Sequence, residues 1–308
     1  VQSVTARWIL GHPGKDLIFL FLPGLAMLIL VNIFPVQSMG TYGLLLLFLA
    51  KGFADSGHVY TTVWRTYFNP LERNSKALYI WLPLVIFIFC AVSIGFEVPY
   101  FWSFVIYATL FHNIRQLYGI NKWYRKINRM NRPEADFFLQ ILCFLPILSY
   151  HFRKVPALGH YYFKNETFAY PSEALYRFSL LVYVLLLMIW FVFEIRSYWR
   201  SRNINWGYAS SFLLAVLMYG VGFINGKNVE QVILPLVIAH GISYQALVAF
   251  AMVKTQKEKY KFWWQALAYV TLTALLLGGL EFGYENEWLP LKMPEAMDLA
   301  VSATIITV

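Results

Sequence analysis

Charge is scarce in this chain, cysteine is nearly absent, and no low-complexity linker interrupts it. Asp, Glu, Lys and Arg make up 13% of its 308 residues, against roughly a quarter in soluble domains, which excludes an ordinary soluble fold. The two cysteines, Cys90 and Cys143, sit inside apolar runs with no Cys-x-x-Cys and no Cys/His pairing. That excludes a disulfide framework and a thiolate metal site and leaves them as core residues. No repeat of solenoid length and no low-complexity segment divides the chain, so a single integral membrane domain over residues 1–308 is expected. No cleavable signal peptide is expected, because Val1 to Lys15 holds Arg7, His12 and a Pro-Gly turn in place of an apolar run. The first span is expected to insert as its own signal.

What is present is apolar and aromatic. Hydrophobic residues reach 59% and aromatic residues 19%, with eleven Trp and twenty-one Tyr, and the mean hydropathy is +0.54. This is the composition of a polytopic membrane protein, with aromatic rings for the two lipid–water boundaries. With about 20 apolar residues per span, helices are predicted near 17–36, 40–67, 76–97, 99–123, 134–151, 174–199, 206–225, 229–254 and 262–281. The fold class is all-α, a transmembrane helical bundle of about nine spans. A tenth helix is expected to begin near Glu295, and the native chain to continue beyond Val308 and to begin before Val1, since no initiator Met is present. Gly279-x-x-x-Gly283 permits close packing of the ninth span.

The net charge of +9 needs no nucleic-acid partner, because the basic residues fall in alternate loops. One set holds Arg7 and Lys15, then Arg65, Arg73 and Lys76, then Lys122, Arg125, Lys126, Arg129 and Arg132, then Arg200 and Arg202, then Lys254, Lys257, Lys259 and Lys261. The intervening loops carry few, apart from 152–173 with Arg153, Lys154 and Lys164. By the positive-inside rule the N-terminus is cytoplasmic, and a bacterial inner membrane is expected. The long outer loop also carries His160 and the sequon Asn165-Glu-Thr167, which needs a eukaryotic secretory route to be used. It is read as chance.

Within the second predicted span, Lys51, Asp55, His58, Thr62 and Arg65 step by four, three, four and three, which places them on one helical face. A Lys or Asp near the bilayer centre costs about 2.5–3.5 kcal/mol on insertion scales. The stripe thus lines a buried polar site, or Lys51 and Asp55 neutralise each other between packed helices.

Of six histidines, His12, His151 and His160 fall outside or at the ends of spans, whereas His58, His112 and His240 lie within them. At about 1.5 Å per residue these three sit roughly 14, 16 and 20 Å from the cytoplasmic ends of their helices, so they can share one layer. Gln116 shares the face of His112 and Arg115 borders it, while Tyr244 lies one turn from His240 and Gly241 allows a backbone or substrate to approach. Three imidazoles with the Asp55 carboxylate suit a divalent metal: iron, zinc or manganese. Asp55 can bind the metal beside His58 or hold the imidazole tautomer as an acceptor. Lys51, Arg115, Gln116 and Tyr244 are the candidate catalytic side chains around it. Arg65 and Arg115 can recognise an anionic head group or snorkel to the inner leaflet.

The segments Phe111-His112-Asn-Ile-Arg115-Gln116 and Ile238-Ala-His240-Gly241 resemble histidine elements of the bacterial Brp/Blh-type carotenoid-cleaving membrane dioxygenases. The resemblance implies an all-helical membrane enzyme with a non-haem iron centre and oxygen-dependent attack on an apolar polyene or lipid. The family's Pro-His-Gly-x-x-Asp element is absent, with Asp55-Ser-Gly-His58 its nearest analogue in another order. The expected function is therefore the broader class, a histidine-ligated membrane oxidoreductase or oxygenase acting on a lipid or isoprenoid. Two alternatives stand beside it. One is a proton- or ion-coupled transporter using the Lys51/Asp55/His58 stripe. The other is a structural subunit whose polar stripe meets a membrane-protein partner.

Overall fold

The computed structural model describes residues 7–34, 36–153, 170–202, 204–256 and 259–288, without the side chains of 37 and 73–76. The sequon, His160 and the helix expected near Glu295 lie outside them. Among the described residues the chain forms long helices and no strand. They are α1 (Pro13–Ile33), α2 (41–65), α3 (Lys76–Gly95), α4 (Phe101–Ile127), α5 (Glu134–His151), α6 (Glu173–Ser201), α7 (Trp206–Asn225), α8 (Val229–Thr255) and α9 (Trp263–Glu285). Each coincides with one predicted span. Helices suit such apolar runs because every backbone group is satisfied within the segment, leaving none to face lipid.

Six of these, α1, α3, α6, α7, α8 and α9, are long and apolar enough to cross a membrane. The chain is an integral, multi-pass membrane protein by that measure. The other three predicted spans are helical but do not meet the same measure. In α2 the reason is the polar stripe, and in α4 it is Arg115, Gln116, Asn121 and Lys122 in the second half. Apolar residues are spent on the outside of the chain: only 11% of the apolar window of α3 and of α6 is buried, against 72% in α8. Outward faces such as Leu78, Trp81, Val85, Ile88 and Phe89 of α3 have no place in water and meet lipid.

Contacts divide the chain into two units. The first unit comprises Val1–Ile33 and Phe111–Leu236. Its core holds Leu139, Leu142, Tyr150, Phe212, Tyr219 and Phe223, all buried, with the Trp190 indole stacked on Phe212 at 4.1 Å and 2° between planes. Cys143 belongs to this core and Cys90 to the other unit, both buried as expected. Several charges in this unit are paired: Arg132 reaches Glu194 at 2.7 Å and also Glu134, Tyr208 donates to Glu194 at 2.8 Å, and Arg125 holds Asp136. Asn205 caps α7 by accepting from the Tyr208 N–H at 3.0 Å. His12 caps α1, its Nδ1 accepting from the Gly14 N–H at 3.1 Å, so this loop histidine has a structural use.

The second unit comprises Phe34–Leu110 and Val237–Val308. Here α2 packs on α9, and each winds wider than an α-helix along the contact, at Phe48–Ser56 and Ala274–Gly278. Glycine makes the approach feasible, although at a different residue from the expected Gly279-x-x-x-Gly283 pair. A Cβ on Gly278 would stand 1.9 Å from the Gly52 carbonyl oxygen, whereas one on Gly279 meets only the Phe48 ring at 3.6 Å. The Trp64 indole N–H donates to Thr273 Oγ1 at 2.9 Å, closing the far end of the same contact.

Candidate metal centre

The polar stripe of α2 does not stay on one face. Residues 48–56 form π-type turns, which insert an extra residue per turn and rotate the helix on one side of them against the helix on the other. The stripe is split as a result. Asp55 has Lys51, Glu281 and Glu285 as its charged neighbours, toward α9, and the Tyr60 hydroxyl bonds to Glu281 in the same cluster. His58 and Thr62, beyond the π turns, turn toward α8 instead.

There the geometry is close. His58 Nε2 lies 3.2 Å from His240 Nε2, with the rings 4.6 Å apart and perpendicular at 88°. His58 Nδ1 donates its proton to the Ala54 carbonyl at 3.0 Å. In a neutral imidazole that leaves the Nε2 lone pair facing His240. Beside the pair, Tyr244 packs against the His58 ring at 5.5 Å, and its hydroxyl shares a 3.0 Å hydrogen bond with Thr62 Oγ1. Gln245 donates to the Phe53 carbonyl at 2.8 Å, holding α8 against the backbone just before the histidine's anchor.

Gly241 sets how near α8 comes. A Cβ there would lie 2.0 Å from the Ala54 carbonyl oxygen, so the approach foreseen at this glycine is that of the Ala54 backbone. The same carbonyl is the acceptor for His58, and one backbone group thereby fixes both the helix contact and the imidazole tautomer.

His112 is the third predicted ligand. His58, His112 and His240 each offer a ring nitrogen, and these lie within 4.8 Å of one another. His240 is buried, His58 half-buried and His112 exposed. Two nitrogens each about 2.1 Å from one ion at 90–109° lie about 3.0–3.4 Å apart, so the 3.2 Å between His58 and His240 suits adjacent ligand positions. All three donors are imidazoles, which suit iron, zinc and other divalent transition metals.

The remaining predicted site residues lie around or away from this group. Asp55 is not a member of it; its expected role as acceptor for His58 Nδ1 is filled by the Ala54 carbonyl, because the π turns direct the carboxylate elsewhere. Lys51 accompanies Asp55. Arg115 is exposed, with its guanidinium 4.7 Å over the Tyr118 ring, and Gln116 is half-buried. Sequence reasoning passed over Glu281 as a charged neighbour of Asp55, although an acid at the end of the ninth predicted span was the available signal. It also passed over Thr62 as the partner of Tyr244, which no spacing rule connects across 182 residues. No family profile, curated protein or solved structure matches the chain.

Proposed function

We propose that this protein is a membrane-embedded metalloenzyme in which His58, His112 and His240 hold one divalent metal ion, iron foremost, for oxidation of a lipid or isoprenoid. The observation that carries the reading is the histidine group, in particular two Nε2 atoms 3.2 Å apart on α2 and α8 with one tautomer anchored through its far nitrogen. An anchored far nitrogen is the usual companion of a ligating imidazole. Three protein ligands leave coordination positions for water, oxygen or substrate, and the metal supplies Lewis acidity or redox chemistry when bound. The chain's own part is to hold the imidazoles, to exclude bulk water with apolar helices, and to place the Tyr244 hydroxyl on a Thr62 hydrogen bond beside the ligands as a proton donor. In this reading all nine helices cross a bacterial inner membrane with the N-terminus in the cytoplasm, which the basic loops support. An apolar substrate enters from lipid, and Arg65 and Arg115 are available for an anionic head group.

Elemental analysis of protein purified from membranes in mild detergent tests the proposal. About one iron, zinc or manganese per chain is expected, falling below one tenth in His58→Ala and His240→Ala and substantially in His112→Ala. Wild-type protein without stoichiometric metal, or His240→Ala with an undiminished load, removes the basis of the reading.

The cluster of Asp55, Lys51, Glu281 and Glu285 supports a second reading, a proton- or ion-coupled transporter, since ionisable chains within spans serve such paths. It is favoured if liposomes carrying metal-free protein sustain solute or proton flux that Asp55→Asn abolishes.

A further inference from the structure

We infer that the outer face of α6 is a binding site for one anionic phospholipid, with the phosphate on Arg196 and an acyl chain along the stripe that precedes it. The groove is lined by Leu185, Met188, Ile189, Val192, Phe193 and Arg196 and has a volume of about 290 Å³. The five apolar members are all exposed, from 39% at Phe193 to 63% at Val192. Lipid-facing apolar residues alone are ordinary in a membrane helix; the guanidinium is what gives this face a specific ligand.

Arg196 is exposed and has no hydrogen-bond, ion-pair or ring partner among the described residues. The carboxylate nearest in sequence, Glu194, is turned to the other side of α6, where Arg132 and Tyr208 use it. At the opposite end of the helix Arg177 is paired with Glu173 at 2.7 Å. No charged residue stands between Arg177 and Glu194. Arg177 and Arg196 are therefore about 29 Å apart along the axis, the thickness of a hydrocarbon core. Arg196 stands at one head-group layer, in need of an anion that the described chain does not supply. Arg200, one turn on and exposed, adds a second guanidinium without a partner among the described residues.

The length of the groove identifies the occupant. From Leu185 to Arg196 is about 16 Å, close to half the hydrocarbon thickness, the depth of one leaflet. A single extended acyl chain of that length runs along the apolar stripe and ends at the guanidinium. A phosphate offers a guanidinium paired acceptors in fork geometry, which zwitterionic head groups offer with an opposing cation alongside.

The test uses the whole protein, delipidated in non-ionic detergent. Phosphatidylglycerol and phosphatidylcholine with the same acyl chains are added in series, and binding is read by native mass spectrometry and by the thermal unfolding midpoint. Phosphatidylglycerol is expected to bind with a strong one-per-chain step and to raise the midpoint more than phosphatidylcholine. Arg196→Gln weakens that step about tenfold, the scale of one charge-assisted hydrogen bond, and Val192→Trp, which fills the groove and keeps the charge, weakens it as well. Arg177→Gln leaves it unchanged. Equal binding of the two lipids, an unaltered step in Arg196→Gln, the same stabilisation by glycerol phosphate alone, or a second protein chain in place of lipid would each overturn the inference.

Discussion

If the three histidines hold a metal as proposed, a single methyl group at Gly241 is expected to weaken its binding without touching any of them. The Cβ of a Gly241→Ala variant would fall 2.0 Å from the Ala54 oxygen, 2.5 Å from its carbonyl carbon and 2.8 Å from its Cα. All three are backbone atoms, so no side chain can rotate away, and α2 and α8 must part by roughly 1 Å or more to relieve the overlap. Parting them stretches the 3.2 Å separation of the His58 and His240 nitrogens and disturbs the carbonyl that holds His58 Nδ1. Changes one step removed from a ligand typically weaken metal affinity about 10–100-fold, and that range is expected here. The overlap also destabilises the fold by about 1–3 kcal/mol, an effect distinguished from unfolding if helicity by circular dichroism persists while metal is lost. Gly119→Ala is the control, since a Cβ there meets nothing within 4 Å. A Gly241→Ala protein that keeps wild-type metal affinity would show that the histidine pair does not depend on this contact, and would count against the pair as ligands.

The helices themselves were legible from hydropathy and loop charge because both are local properties of the chain: each of α1 to α9 begins and ends within a few residues of a predicted span. The histidines were legible by a cruder route, depth along the helix, which depends only on the rise per residue and survives errors of rotation. Rotation is where the reading failed. Lys51, Asp55 and His58 share a face in an ideal α-helix, but Phe48–Ser56 is not one, and nothing in the composition of Phe-Leu-Ala-Lys-Gly-Phe-Ala-Asp-Ser announces π turns. Their origin is tertiary: Gly52 and Gly57 lie against Gly278 and Ala274 of a helix that is itself wide at the contact. The same applies to the Ala54 carbonyl as the anchor of His58. A backbone acceptor carries no residue-type signal, so a carboxylate at i−3 was the natural candidate and the wrong nitrogen partner.

The largest loss of stability is expected at Asp16, a residue that the sequence shows only as a charge near the start of the first span. Its side chain is wholly buried and accepts three hydrogen bonds, from the N–H groups of Ile9 and Leu10, each at 2.8 Å, and from the Tyr124 hydroxyl. Around it Trp8 and Phe21 pack on the Tyr124 ring, at 6.3 and 6.0 Å between centroids, and Gly207 of α7 leaves the space in which that ring lies. The Arg7 N–H and carbonyl are both tied to the Asn128 amide, so the segment before α1 is fastened to the end of α4 by polar bonds under an apolar cover. Asp16→Ala strands two buried backbone N–H groups and one hydroxyl. Each stranded group costs about 1–3 kcal/mol, so the variant should lose about 3 kcal/mol or more, a fall of roughly 6–12 °C in the unfolding midpoint by the scaling for large domains. Tyr124→Phe removes one donor and keeps the ring, and should lose only about 1 kcal/mol. Asp16→Asn should fall between them, because the amide keeps one acceptor oxygen but turns donors toward donors. The order of the three midpoints is the measurement that decides: if Tyr124→Phe unfolds as early as Asp16→Ala, the ring contact and not the carboxyl fastens the segment. If Asp16→Ala melts with the wild type, the buried donors have found water, and the segment before α1 is held by Asn128 and by packing alone.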